Sequence, residues 1–205
     1  MTTLTPGESV PFERRKRGRP RSAAVEQAII AATIAIITET SVREASMDAV
    51  AQRAGVSKAT LYKWWPSKLH LSLDALLHLG KSNAPVPDTG SAMEDFIINL
   101  KGIGRFYTDP VAGPCMMQLW GECLNAPDML AVYRDRFLRR RREGLHVIYE
   151  RGVARGEIDG RYGVELVLDM IYGPTIFRLL TGNGPVNDDE AELIVRSVFA
   201  GLAPG

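Results

Sequence analysis

The chain has 205 residues, 45% of them hydrophobic and 24% charged, with a formal net charge of +1, ordinary values for one large domain or two small ones. No run of about 18 apolar residues is present, which excludes a membrane span, and no apolar stretch follows the first charges as a secretory leader requires. Cys115 and Cys123 have no His at metal-ligand spacing, so they read as reduced thiols in a cytoplasmic protein with neither metal nor cofactor.

The small net charge hides an asymmetry. Between Arg14 and Lys68, Lys and Arg outnumber Asp and Glu by 11 to 4, and from Leu69 onward they are outnumbered 14 to 18. A basic front on an acidic body aims that front at a polyanion. Residues 1–21 are polar, punctuated by Pro and Gly, and lack apolar periodicity, which predicts a disordered basic arm. Its cationic string, RRKRGRPRS, carries Arg14, Arg15, Lys16, Arg17, Arg19 and Arg21.

From residue 22 to 80 the pattern turns helical. Val25, Ile29, Ala32 and Ile36 predict a first helix over 23–40. Met47, Val50, Ala51 and Ala54 predict a second, with Ser46 as N-cap and Gly55 as its stop. Ser57 caps a third, short helix that runs to about Trp64, with Val56 and Leu61 placed to form a hydrophobic staple. Pro66 and Ser67 end it, and a fourth helix carries Leu69, Leu73, Leu76 and Leu77.

The breaker-rich SNAPVPDTG (82–90) predicts a boundary between this domain, 22–80, and a second, 81–205. Helical stretches follow near 91–107, 114–125, 127–155, 162–181 and 188–202, and no alternating run is long enough for a sheet. The expected class is all-α. Residues 162–181 are apolar nearly all round, which predicts burial on all sides. In so small a domain that suggests a subunit interface, through Val167, Met170 and Ile171 with Ile194, Val195 and Val198 of the last helix. A core helix within one chain is the alternative.

The stretch SMDAVAQRAGVSKATLYKWWPSK (46–68) has the grammar of a helix-turn-helix: two short helices, small residues at their crossing, and a glycine turn. A short helix needs a partner to hold it rigid before a groove. With Val56 and Leu61 turned inward, the outer face shows Lys58, Ala59, Thr60 and Lys63, which predicts contact with base edges in the major groove. The chain has no HExxH, nucleophile elbow or Walker loop, and GIG (102–104) and GNG (182–184) lack a preceding strand, so it reads as no enzyme. A sequence-tolerant architectural protein that binds DNA by its arm alone, without an effector, is the rival reading.

VAQRAGVSKATLYKWWPSK is similar to the N-terminal domain of the TetR family of bacterial transcriptional regulators, over roughly residues 23–75. The resemblance implies a ligand-responsive repressor of a palindromic operator, with a helix-turn-helix domain joined to a larger helical domain for effector binding and dimerisation. It implies phosphate contacts from Ser46, Ser57, Tyr62, Trp64 and Lys68. Two departures stand out: Trp65 where the family more often has Phe, and TSVREAS (40–46) where a glycine usually follows the first helix. The C-terminal half, with RGEID at the end of a long helix, resembles the family less specifically. The implied effector pocket falls on Phe106, Tyr107, Met116, Met117, Trp120, Cys123, Tyr133, Phe137, Tyr172 and Phe177, which suit an apolar or aromatic ligand. RGRP (17–20) resembles the core of the AT-hook, which implies an arm lying in the minor groove, and a non-specific electrostatic tether is the alternative. RRRR (139–142) covers a whole helical turn and reads as a solvated face pairing with Glu143 or Asp135.

Overall fold

The structure is a computed structural model that describes residues 23–80 and 85–202. The arm, with Arg14, Arg15, Lys16, Arg17, Arg19 and Arg21, lies outside the described residues. Those residues are helical throughout, without a strand. α1 (Ala23–Glu39), α2 (Met47–Arg53), α3 (Lys58–Trp64) and α4 (Lys68–Gly80) form the N-terminal part. α5 (Ala92–Thr108), α6 (Ala112–Leu124), α7 (Pro127–Tyr133), a π-helical turn (Arg134–Leu138), α8 (Arg139–Ala154), α9 (Val164–Leu180) and α10 (Asp188–Leu202) follow.

Two apolar cores hold these helices, and the division between them does not fall at the 82–90 loop. The first core joins α1–α4 to Phe106, Met116, Leu119, Trp120, Cys123 and Phe137. The second is built by α5, α8, α9 and α10 around Phe96, Leu100, Ile148, Val167, Leu168, Ile171 and Val195. The N-terminal helices therefore share their interior with α6 and the π turn, and a displacement of either is felt directly in their packing.

The expected single helix over 127–155 is continuous in direction but carries the π turn, in which Arg139 N–H donates to the Arg134 carbonyl. A π turn holds one extra residue, so everything beyond it is rotated by about 100° relative to an uninterrupted α-helix. This rotation bears on the four arginines that follow. None of them pairs with Glu143 or Asp135 as expected. Arg140 approaches Asp74 at 4.0 Å, Arg141 turns inward, and Arg142 bonds Glu165 and Asp169 across to α9.

The RGEID segment has a structural task. Gly156 adopts φ +75°, a conformation that favours glycine. The turn brings Glu157 to the N-terminus of α5, where its carboxylate accepts the N–H of Ala92 at 2.8 Å and the hydroxyl of Ser91 at 2.9 Å. A carboxylate there satisfies orphan amides and meets the positive end of the helix dipole. Glu157→Ala is expected to destabilise the protein by about 1–2 kcal/mol, read as a lower urea midpoint at unchanged slope. An unchanged midpoint would mean that water replaces the cap at no cost.

Candidate DNA-reading face and effector cavity

The short α3 is fixed from both ends. Ser46 Oγ accepts the Ala49 N–H at 3.1 Å to start α2, and Ser57 Oγ accepts the Thr60 N–H at 3.1 Å to start α3. Between them, Gly55 takes φ +65°. Its N–H donates to Gln52, and the next N–H, of Val56, reaches back to Ala51 at 3.0 Å, the pairing of a Schellman turn. Leu61 and Trp65 are fully buried beneath α3.

What remains outside is the face expected to read bases. Lys58, Ala59 and Lys63 are exposed and Thr60 is half-buried. Lys58 Nζ rests 2.6 Å from Asp48 on α2, an exposed pair worth about 0–1 kcal/mol, so exchanging it for a nucleic-acid acceptor costs little. Thr60 Oγ1 lies 2.9 Å from Ser57 Oγ. Among the residues expected at phosphates, Ser46, Ser57 and Tyr62 are exposed and Trp64 is half-buried. Lys68 is already engaged: its ammonium donates to the Arg43 carbonyl at 2.7 Å, pinning the loop before α2 and leaving other donors on the same nitrogen.

The missing glycine after α1 is compensated by hydroxyls. Thr40 Oγ1 donates to the Ile36 carbonyl at 2.8 Å, and Ser41 Oγ accepts the Glu44 N–H at 3.0 Å. No described non-glycine residue has positive φ. The turn buries Val42 and presents its N–H to Gln118 Oε1 of α6 at 2.8 Å. Sequence reasoning missed this fastening, because a glutamine 76 residues away carries no local signal.

A second fastening meets the far end of α3. Trp65 Nε1 donates to Asp74 Oδ2 at 2.8 Å, and Arg136 of the π turn holds both oxygens of the same carboxylate, at 3.0 and 2.8 Å. The side chains of Asp74 and Arg136 are only 14% and 25% exposed, so this charge-assisted fork is largely shielded from water.

The residues expected at the effector pocket divide. Phe106, Tyr107, Trp120, Tyr133 and Phe137 form a run of touching rings, with successive centroids 5.2, 5.7, 6.4 and 5.5 Å apart. Arg141 closes the circle, its guanidinium 5.5 Å from the Phe106 ring and 5.6 Å from that of Phe137. Trp120, Cys123, Tyr133, Tyr172 and Phe177 line an apolar cavity of about 440 Å³ between α6, α7, α8 and α9. Leu124, Leu130, Leu138, Arg142, Asp169, Gly173, Ile176 and Leu180 complete its wall, and none of these was among the residues expected at the pocket. Phe106, Met116 and Phe137 are instead buried in the first core, behind the wall, and Met117 packs at that core's edge. Burial raises the Tyr133 hydroxyl to about 12 and the Cys123 thiol to about 11, so both are neutral.

The expected dimer face needs correction. Val167, Ile171 and Val195 are wholly buried in the second core of their own chain, and Met170, Ile194 and Val198 pack half-buried against it. Within the single protomer α9 is not covered on all sides. Leu166, Phe177 and Leu180 of α9 are 54, 66 and 52% exposed, and Leu193 of α10 is 67% exposed. On α9 and α10 the large apolar side chains presented outward are these four, which near-uniform hydrophobicity concealed.

No helix among the described residues is long and apolar enough to cross a membrane, and no cluster of three His, Cys, Asp or Glu gathers there as metal ligands. Residues 29–75 match the family profile "Bacterial regulatory proteins, tetR family", and residues 86–198 match "Tetracyclin repressor-like, C-terminal domain". The chain is 35% identical over 187 residues to the uncharacterized HTH-type transcriptional regulator YdeS of Bacillus subtilis, covering 91% of this chain and 94% of that one. It is 32% identical over 158 residues to the HTH-type transcriptional regulator AqdR of Rhodococcus erythropolis, covering 77% and 75%. The crystal structure of the TetR family transcription regulator SCO0332 superposes with a TM-score of 0.77 at 28% identity, covering 88% of this chain and 99% of that one. Helix-turn-helix geometry, all-helical architecture and sequence agree: the chain belongs to the TetR family of DNA-binding transcriptional regulators, which are typically repressors and not enzymes.

Proposed function

We propose that this protein is a homodimeric repressor that binds a palindromic operator and is released from it by a small apolar or aromatic effector. The observation that carries this reading is the double fastening of the reading head to the wall of the effector cavity. Gln118 holds Val42 from α6, two residues from Trp120 of the cavity wall, and Arg136, in the turn between Tyr133 and Leu138, holds Asp74 and through that carboxylate Trp65. A molecule that spreads α6 from α7 and α8 pulls on both ends of the helix-turn-helix.

Lys58, Ala59, Thr60 and Lys63 read bases in this scheme, and Ser46, Ser57, Tyr62, Trp64 and Lys68 position the head on phosphates. Two copies joined through Leu166, Phe177, Leu180 and Leu193 read half-sites about 34 Å apart, or a multiple of it. The arm adds minor-groove contacts on A·T-rich flanks.

Footprinting on DNA selected from a random pool tests the reading. A discrete, two-fold symmetric protected site is expected, and uniform protection of every sequence would favour an architectural protein instead. On the selected site, Thr60→Ala and Lys63→Ala are each expected to cost about 1–3 kcal/mol and to relax preference at one position per half-site. Competition across single-base operator variants checks this, and unchanged relative affinities would remove both residues from base reading. Deleting residues 1–21 should weaken A·T-rich flanks more than G·C-rich ones, whereas an equal loss on both makes the arm an electrostatic tether.

A further inference from the structure

We infer that the effector presents an uncharged hydrogen-bond acceptor, a ketone or ester carbonyl or its equivalent, and that the Tyr133 hydroxyl donates to it. The inference rests on the effector-cavity reading above. The polar groups of the cavity wall belong to Trp120, Cys123, Tyr133, Arg142, Asp169 and Tyr172, and all but one are committed or weak. Arg142 is held by two carboxylates, Glu165 and Asp169. Tyr172 donates its hydroxyl to Asn99 Oδ1 on α5 at 2.8 Å. Burial keeps the Cys123 thiol protonated, and a thiol is a weak donor. The indole N–H of Trp120 faces the Tyr133 hydroxyl, short of ideal hydrogen-bond geometry, and so addresses the lone pairs of that oxygen.

The proton of Tyr133 is what remains. Among the described residues no acceptor receives it. The ring that carries it is fixed, edge-on to Trp120 with centroids 6.4 Å apart and stacked on Phe137 at 5.5 Å. Burial keeps the hydroxyl protonated, while the positive charges of Arg141 and Arg142 act in the opposite sense and favour negative charge on its oxygen. A phenol polarised in this way is a strengthened donor. A shielded donor left unused is costly, and a site built around one favours the ligand that supplies its acceptor. The charges nearby decide what kind of acceptor that is. An anion would approach Asp169 and Glu165, with Arg142 the single cation between them. A cation brings donors of its own and would leave the Tyr133 proton unpaired. An uncharged carbonyl on an apolar or aromatic body meets both conditions.

The test uses calorimetry on the full chain with two ketones and the alkenes that share their shape: acetophenone with α-methylstyrene, and 2-acetylnaphthalene with 2-isopropenylnaphthalene. In each pair that binds, the affinity of the ketone relative to its alkene is expected to fall about tenfold in Tyr133→Phe, the loss of one hydrogen bond, with the affinity for the alkene kept. In the unsubstituted protein the carbonyl stretch of the bound ketone, isotope-labelled at that carbon, is expected below its position in hexane. That reading stands even if Tyr133→Phe fails to fold. A stretch at the hexane position, or a ketone-to-alkene ratio unchanged in Tyr133→Phe, would overturn the role of Tyr133 while leaving an apolar effector cavity in place. Tighter binding of 2-naphthoate than of 2-acetylnaphthalene would overturn the uncharged acceptor. Binding by no member of either pair would overturn the cavity reading and this inference together.

Discussion

Phe177→Glu combined with Leu193→Glu is expected to leave the protomer folded and to separate the dimer. Both side chains are two-thirds exposed, so within the protomer each substitution is a surface change, worth about ±0.5 kcal/mol. Placed in an interface, the same charges meet their own copies and an apolar partner surface. Sedimentation should show a single species of 22.6 kDa. Operator affinity should fall by about 10²–10⁴, because two linked half-sites become two independent weak ones. Ile171→Glu provides the contrast. It places an unpaired charge in the second core, so loss of folding is expected rather than clean dissociation. A doubly substituted chain that still sediments as a dimer and binds its operator normally would move the interface away from α9 and α10.

That contrast also marks where the sequence stops being legible. The head could be read nearly in full because its instructions are local. Ser46, Gly55 and Ser57 are caps and a turn whose partners lie within five residues, and the staple of Val56 and Leu61 is set by helix geometry alone. In α9 apolar residues fall on nearly every face, so helical periodicity alone does not separate Leu168, which is buried, from Leu166, which is exposed. That choice is made by the helices packed on α9, which are α5, α8 and α10.

The four arginines show the same limit from another direction. An uninterrupted helix would fix which of Arg139 to Arg142 faces the core, but the π turn adds about 100° of phase before they begin. Arg141 is then enclosed by Phe106, from 35 residues upstream, and Phe137, from within the turn. Aromatic content between residues 106 and 177 indicated a pocket. Which rings line it and which stand behind them depends on that rotation, and so on a hydrogen-bond register that composition does not encode. The turn after α1 was the reverse case. Its lack of glycine looked like a departure from the family, yet Thr40 and Ser41 close it with hydroxyl bonds at ordinary φ.

The other departure, Trp65, yields the largest expected change in stability. Trp65→Ala removes a wholly buried ring from under α3 and is expected to cost about 3–5 kcal/mol, a large share of what holds a domain of this size together. Trp65→Phe restores the residue more usual in the family and separates two roles of the side chain. The benzyl ring keeps most of the wedge, so the expected cost is nearer 1.5 kcal/mol, the low end for a hydrogen bond to a charged group, since Asp74 still holds Arg136. What Phe cannot supply is the indole N–H that ties the end of α3 to Asp74, and through it to the π turn beside the cavity. If that tie transmits effector binding, Trp65 and Arg136 must be energetically coupled through the carboxylate they share. A double-mutant cycle of Trp65→Phe and Arg136→Met, read by urea unfolding, is expected to give an interaction energy of at least about 0.5 kcal/mol. Strict additivity would make Trp65 a wedge and nothing more, and would leave the Gln118–Val42 bond as the fastening through which the cavity acts on the reading head.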